Sequence, residues 1–99
     1  MLLLATTVSA QCSVNFSLYD SSGTIYGFNA TTGAASTEWF VYDQMWNLEG
    51  NYTSWDMMHT ALDSGVYTVC LYAYDSSSMW CDSACQSITM FSGGGGGAS

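Results

Sequence analysis

The chain has 99 residues, no Lys or Arg, eight Asp or Glu and one His, for a formal charge of −8. With no cationic side chain to neutralise phosphate, this composition argues against nucleic-acid binding and against docking on anionic lipid. Chemistry that needs a lysine, an arginine clamp or a pair of histidines is excluded, so no enzyme of those kinds is expected.

The first ten residues, Met1-Leu2-Leu3-Leu4-Ala5-Thr6-Thr7-Val8-Ser9-Ala10, are uncharged and apolar. Residues 1–11 have two readings. Val8-Ser9-Ala10 before Gln11 fits the small-residue cut of a secretory signal. Alternatively, the segment is a retained strand of the donor type that needs a sheet edge in its own domain or a neighbour. It is far too short to span a bilayer.

Residues 12–91 follow as one domain in which alternation is the dominant signal. Val14, Phe16 and Leu18 alternate with Ser13, Asn15 and Ser17, which predicts a strand with one buried face. Asp20-Ser21-Ser22-Gly23 is a turn. Residues 24–28 predict a second strand, 30–36 a small polar loop and 39–42 an aromatic strand. Residues 47–54 read as a polar connection, and 55–62 as a short strand or a helical turn. After the turn Asp63-Ser64-Gly65, residues 66–74 give the clearest strand, with Tyr67, Val69, Leu71 and Ala73 on one face. Asp75-Ser76-Ser77-Ser78 is another turn. Residues 85–91 form the last strand, with Ile88 and Met90 facing in. Residues 92–99 are a Gly-rich tail or linker. About seven short strands separated by turns predict an all-β antiparallel sandwich of two sheets.

Asp63-Ser64-Gly65-Val66-Tyr67-Thr68-Val69 resembles the tyrosine corner of immunoglobulin-like sandwiches, with Asp63, Gly65 and Tyr67 as its residues. Over residues 12–91 the chain resembles a PKD domain, the immunoglobulin-like repeat found in secreted bacterial surface proteins. The match runs through Cys12-Ser13-Val14-Asn15-Phe16, Phe28-Asn29-Ala30-Thr31-Thr32-Gly33, Trp39, Asp43, His59, Gly65-Val66-Tyr67-Thr68-Val69-Cys70-Leu71 and residues 82–89. Of the family's Trp-Asp-Phe-Gly-Asp-Gly, only Trp39 and Asp43 remain, in Trp39-Phe40-Val41-Tyr42-Asp43-Gln44. The resemblance implies an immunoglobulin-like (PKD-like) fold and a module of an extracellular protein.

Four cysteines in a short, secreted-looking domain predict a disulfide framework. Cys70 and Cys85 both lie on the outward parity of their strands, and a hairpin turning near Ser77 sets them side by side. Cys12 then pairs with Cys81. No zinc-finger spacing links Cys81, Cys85 and His59, so no metal site is expected there. His59 reads as a hydrogen-bonded structural residue rather than a base, and no Gly-x-Ser-x-Gly elbow supports a Ser-His-Asp centre.

Asn15, Asn29 and Asn51 each begin an Asn-x-Ser/Thr sequon and are candidate carriers of N-linked glycans. The carboxylates (Asp20, Glu38, Asp43, Glu49, Asp56, Asp63, Asp75, Asp82) are scattered, with no Asp-x-Asp-x-Asp-Gly loop. Some could meet at a loop end and hold Ca2+; turn and solvent-face roles are the simpler reading. The aromatic set Trp39, Trp46, Trp55, Trp80, Tyr42, Tyr52, Tyr72 and Tyr74 exceeds what a small core needs. An outward aromatic face points to protein or carbohydrate partners. Together these features predict a secreted, non-enzymatic structural subunit that polymerises with copies of itself, by strand addition, into a surface filament. The alternative is a carbohydrate- or protein-binding adhesion module of a larger surface protein.

Overall fold

The computed structural model describes residues 12–91, which fold into seven strands in two antiparallel sheets. The strands are β1 (Phe16–Ser21), β2 (Thr24–Asn29), β3 (Ser36–Tyr42), β4 (Leu48–Tyr52), β5 (Met57–Thr60), β6 (Gly65–Tyr74) and β7 (Trp80–Met90). One sheet has the order β1-β2-β5 and the other the order β4-β3-β6-β7. This is the two-sheet antiparallel sandwich expected from the alternation. The N-terminal segment 1–11, on which the donor strand rests, and the Gly-rich tail lie outside the described residues.

The period-two pattern explains which side chains meet between the sheets. On β6, Tyr67, Val69, Leu71 and Ala73 are all buried. With Trp39, Val41 and Met90 of the same sheet they pack on Phe16, Ile25 and Met57 of the other, and together these residues form the core. Trp39 lies at its centre and is fully buried, with Phe16 edge-on at 5.2 Å. Its indole N–H donates to the carbonyls of Ser54 and Trp55 at 3.1 and 3.0 Å, so the ring is buried without leaving its polar atom unpaired. Each aliphatic side chain buried this fully contributes about 1.5–3 kcal/mol relative to exposure. Trp39 therefore leaves the set of surface aromatics and becomes the core anchor.

Two local expectations need correction and one ambiguity is resolved. The polar connection over 47–54 contains β4, which pairs along β3 from Trp39↔Tyr52 to Tyr42↔Leu48. Backbone pairing to a buried neighbour overrides the weak strand propensity of Asn and Gly. The ambiguous segment 55–62 holds the short edge strand β5, paired with β2. The last strand starts at Trp80, well ahead of Cys85, because its first half is paired to β6. Trp80, Cys81, Asp82 and Ser83 show no apolar alternation from which that could be read.

The β3–β4 and β6–β7 hairpins use the same turn chemistry. Asp43 N–H donates to the carbonyl of Asn47, and Asp43 Oδ1 accepts the amides of Met45 and Asn47. Asp75 repeats the pattern with Met79 and with the amides of Ser77 and Met79. The residue before the closing position takes the left-handed conformation in each, Trp46 at φ 64° and Ser78 at φ 64°. The aspartate side chain thus supplies the turn where the PKD pattern would place glycines. The hydrogen bond from the Asn47 amide, aided by that from Met45, holds the Asp43 carboxyl below its ordinary value against the opposing effect of burial.

Candidate functional site

The flank between β4 and β5 is closed by side chains. β4 carries one residue more than β3 between the pairs Val41↔Gly50 and Tyr42↔Leu48, and that residue is Glu49. Such a bulge re-aims a side chain, and here the Glu49 carboxylate meets His59 of β5. His59 Nε2 lies 3.0 Å from Glu49 Oε1, and Nδ1 lies 2.6 Å from the Tyr52 hydroxyl. Both side chains of the Glu49–His59 pair are over nine-tenths buried. The imidazole satisfies both neighbours in either protonation state, because Nδ1 can accept from the phenol or donate to it. Burial, with the Glu49 charge added, pushes the Tyr52 phenol up from its ordinary value. Gly50 is required beside this cluster: a Cβ there would sit 2.8 Å from His59 Nδ1 and from the Tyr52 ring. With both ring nitrogens occupied, His59 fastens one sheet to the other.

The flank between β1 and β7 is closed covalently at one end. Cys12–Cys81 ties the entry to β1 to the start of β7, across a sequence separation of 69. Beside it, Asp82 Oδ2 accepts the Val14 amide at 2.8 Å, and Gln86 Nε2 donates to the Phe16 carbonyl at 2.6 Å. Cys70–Cys85 crosses the β6–β7 pair directly, on the outer face, where Cys70 and Cys85 are register partners. No free cysteine is found among the described residues. Two disulfides in so small a domain suit an oxidising, extracytoplasmic compartment.

The tyrosine-corner residues are in contact. Tyr67 Oη donates to the Asp63 carbonyl at 2.8 Å and accepts the Asp63 amide at 3.1 Å. Gly65, at φ +134°, makes the bend between them in a region of backbone space that side chains avoid. Burial is the main cause pushing the Tyr67 phenol up.

Two outer faces carry aromatic side chains. On the four-stranded sheet, Phe40 meets Tyr72 edge-on at 5.3 Å, and Tyr42 contacts the exposed Trp46. Glu38 accepts from Tyr74 Oη at 3.1 Å and from Asn51 Nδ2 at 2.9 Å on the same face. Burial, then this Glu38 bond, raises the Tyr74 phenol. On the three-stranded sheet, Tyr19 stacks on Tyr26 at 5.1 Å and on Phe28 at 5.4 Å, with Met58 beyond Tyr26. Tyr19, Phe28 and Met58 are all well exposed. This second face was missed from the sequence because Gly27 and Asn29 interrupt the apolar count, although Tyr19, Tyr26 and Phe28 share one outward parity. The Glu49–His59–Tyr52 cluster was missed because a bulge breaks that parity.

Of the three sequon asparagines, Asn15 and Asn51 are exposed. Asn29 is committed to the fold: its Nδ2 donates to Thr37 Oγ1 and its Oδ1 accepts the Thr31 amide. Asn51 Nδ2 donates to Glu38 and to the Trp39 carbonyl. Asp43 and Asp63 line one shallow depression with Tyr67, and Asp43 is already engaged with its own turn. No cluster of three or more metal-ligating side chains occurs among the described residues. Among them, no helix is long and apolar enough to cross a membrane.

No protein-family model matches the chain, and no curated protein matches it. Solved structures do match, PKD domains among them. The PKD1 domain of Vibrio anguillarum Epp superposes with a TM-score of 0.62 at 14% identity, covering 83% of this chain and 96% of that domain. The PKD1 domain of the Vibrio cholerae metalloprotease PrtV gives a TM-score of 0.59 at 15% identity, covering 78% and 93%. The fold is therefore a PKD-type immunoglobulin-like sandwich, as the sequence resemblance implied.

Proposed function

We propose that this chain is a non-enzymatic extracellular structural subunit that associates with copies of itself into a filament at the cell surface. The observation that carries this reading is the outer face of the three-stranded sheet. Ser17, Tyr19, Ser21, Thr24, Tyr26, Phe28, Met58 and Thr60 share its parity, and none is charged. Copies of a chain with net charge −8 repel one another, so contact between them needs a neutral apolar surface. The donor-type reading of residues 1–11 supplies a second kind of contact, addition of a strand to a neighbour's edge. Asn15 and Asn51 are the exposed candidates to carry an N-linked glycan.

A second reading, an adhesion module of a larger surface protein, draws on the other sheet. Phe40, Tyr42 and Tyr72 beside the Glu38 carboxylate and the Asn51 amide combine stacking surface with hydrogen-bonding groups, the pairing that sugar rings require. Ca2+ is not needed for either reading.

Electron microscopy of the purified protein without denaturant tests the first reading. Ordered filaments with a repeat near one domain length are expected. Monodisperse particles, together with glycan-array binding that Phe40→Ala and Tyr72→Ala abolish, would replace it with the second.

A further inference from the structure

Edge strands that must stay unpaired are kept short, bulged, charged or covered. β4 and β5 obey this rule: they have five and four residues, β4 is bulged, and Glu49 and His59 join them. β7 does not. It is the longest strand, with eleven residues, and its second neighbour in the sheet is missing. After Asp82, the stretch from Ser83 to Met90 contains no charge and no proline. No backbone ladder joins it to β1, which runs alongside from the three-stranded sheet. Only the Gln86 side chain reaches across, to Phe16. The core is correspondingly incomplete here, with Val14, Leu18, Ala84 and Ile88 packed against it but only partly buried.

We propose that this unguarded edge, from Ser83 to Met90, receives residues 1–11 of a second copy as an added strand, joining copies head to tail. The inference rests on the self-association reading and names its contact. Three observations select this occupant. Eleven residues of extended chain span about 35 Å, enough to run the whole length of an eleven-residue edge. The segment is uncharged, whereas the rest of the chain holds all eight carboxylates. Its leucines, alanines and valine would cover the half-buried Leu18 and Ile88. The occupant comes from another copy because Cys12 is tied to Cys81 at the start of β7, and from there the chain already runs toward Phe16 alongside Gln86. A copy's own residues 1–11 would have to double back on that disulfide to lie along the seam. A contact between different surfaces of identical copies does not close, and so extends into a fibre.

Two full-length variants test this by complementation. Leu2→Asp with Leu4→Asp disables the donor and leaves the edge intact. Leu18→Asp with Ile88→Asp disables the edge and leaves the donor intact. By sedimentation velocity each is expected to be monomeric, and their mixture to form a dimer that grows no further. Filaments persisting in both variants would overturn this contact while leaving self-association standing. A monomeric wild type would overturn both. Should the edge variant lose its near-ultraviolet circular dichroism, hydrogen exchange decides instead. Amides from Ser83 to Met90 should exchange at least tenfold more slowly in wild-type assemblies than in the donor variant, and equal rates would overturn the proposal.

Discussion

The two flanks of the sandwich face the same task and meet it with different chemistry. Between β4 and β5 the sheets are held by a buried carboxylate, an imidazole and a phenol. Between β1 and β7 they are held by a disulfide at one end and by two side-chain-to-backbone bonds beside it, and the remainder is left open. A disulfide stabilises chiefly by restricting the unfolded chain, and its worth grows with the length of the loop it closes. A buried polar cluster restricts the folded state and tolerates no missing member. The β1–β7 flank is thus strong at a point and free beyond it, whereas the β4–β5 flank is sealed along its short length.

The largest effect expected is on the covalent flank. Cys12→Ser with Cys81→Ser opens a loop of 69 residues and should cost about 4 kcal/mol. Cys70→Ser with Cys85→Ser, closing only 15 residues within one hairpin, should cost about 3 kcal/mol. Urea denaturation of both pairs tests the order, and the reverse order would show that native-state packing, rather than loop length, governs the flank.

On the opposite flank, His59→Ala strands the Glu49 carboxylate in the interior and should cost about 3 kcal/mol. The double variant with Glu49→Leu should recover part of that loss, since removing both partners is less harmful than removing one. Failure of the double variant to recover would mean that the cluster acts by shape rather than by pairing.

Tyr67→Phe removes both bonds to Asp63 and should cost about 1–2 kcal/mol, read in the same denaturation series. Its corner belongs to neither flank, so it calibrates the other losses.

The smallest effect is the pH response. Tyr52, Tyr67 and Tyr74 all have phenols raised above 10.0, in each case first by burial. A raised folded value means that the unfolded chain releases these protons first. The stability they contribute is therefore complete below about pH 10 and is lost as pH rises through the folded values. Thermal melts between pH 9 and pH 12, a range that brackets the ordinary phenol value of about 10, should show a falling midpoint. In Tyr52→Phe the fall should be shallower, because the β4–β5 flank would no longer contain an ionising group.

Much of this architecture can be read along the chain. The alternation at Val14, Phe16 and Leu18 and over residues 66–74 marks strands with one inward face, because a pleated strand turns successive side chains to opposite sides. The same parity sets Cys70 opposite Cys85 once a hairpin is drawn at Ser77. The Asp63-Ser64-Gly65-Val66-Tyr67 string contains its own corner, since its partners are four residues apart. Each of these features is local, or follows from a two-residue period continued across a single turn.

What the chain could not reveal depends on places where the period fails or where distant strands meet. Nothing near Glu49 shows that an extra residue in β4 turns it inward, since a bulge is defined only against the partner strand. Nothing near Trp39 separates a core anchor from a surface aromatic until the other sheet lies over it. The open seam between β1 and β7 belongs to strands from the two ends of the domain, and its exposure comes from the absence of a neighbour in space. Composition, strand count and cysteine parity are properties of the chain itself. Burial of Glu49 and His59, the aromatic face of the three-stranded sheet and the unguarded edge were decided by tertiary structure, because each depends on what a strand packs against and not on its own residues.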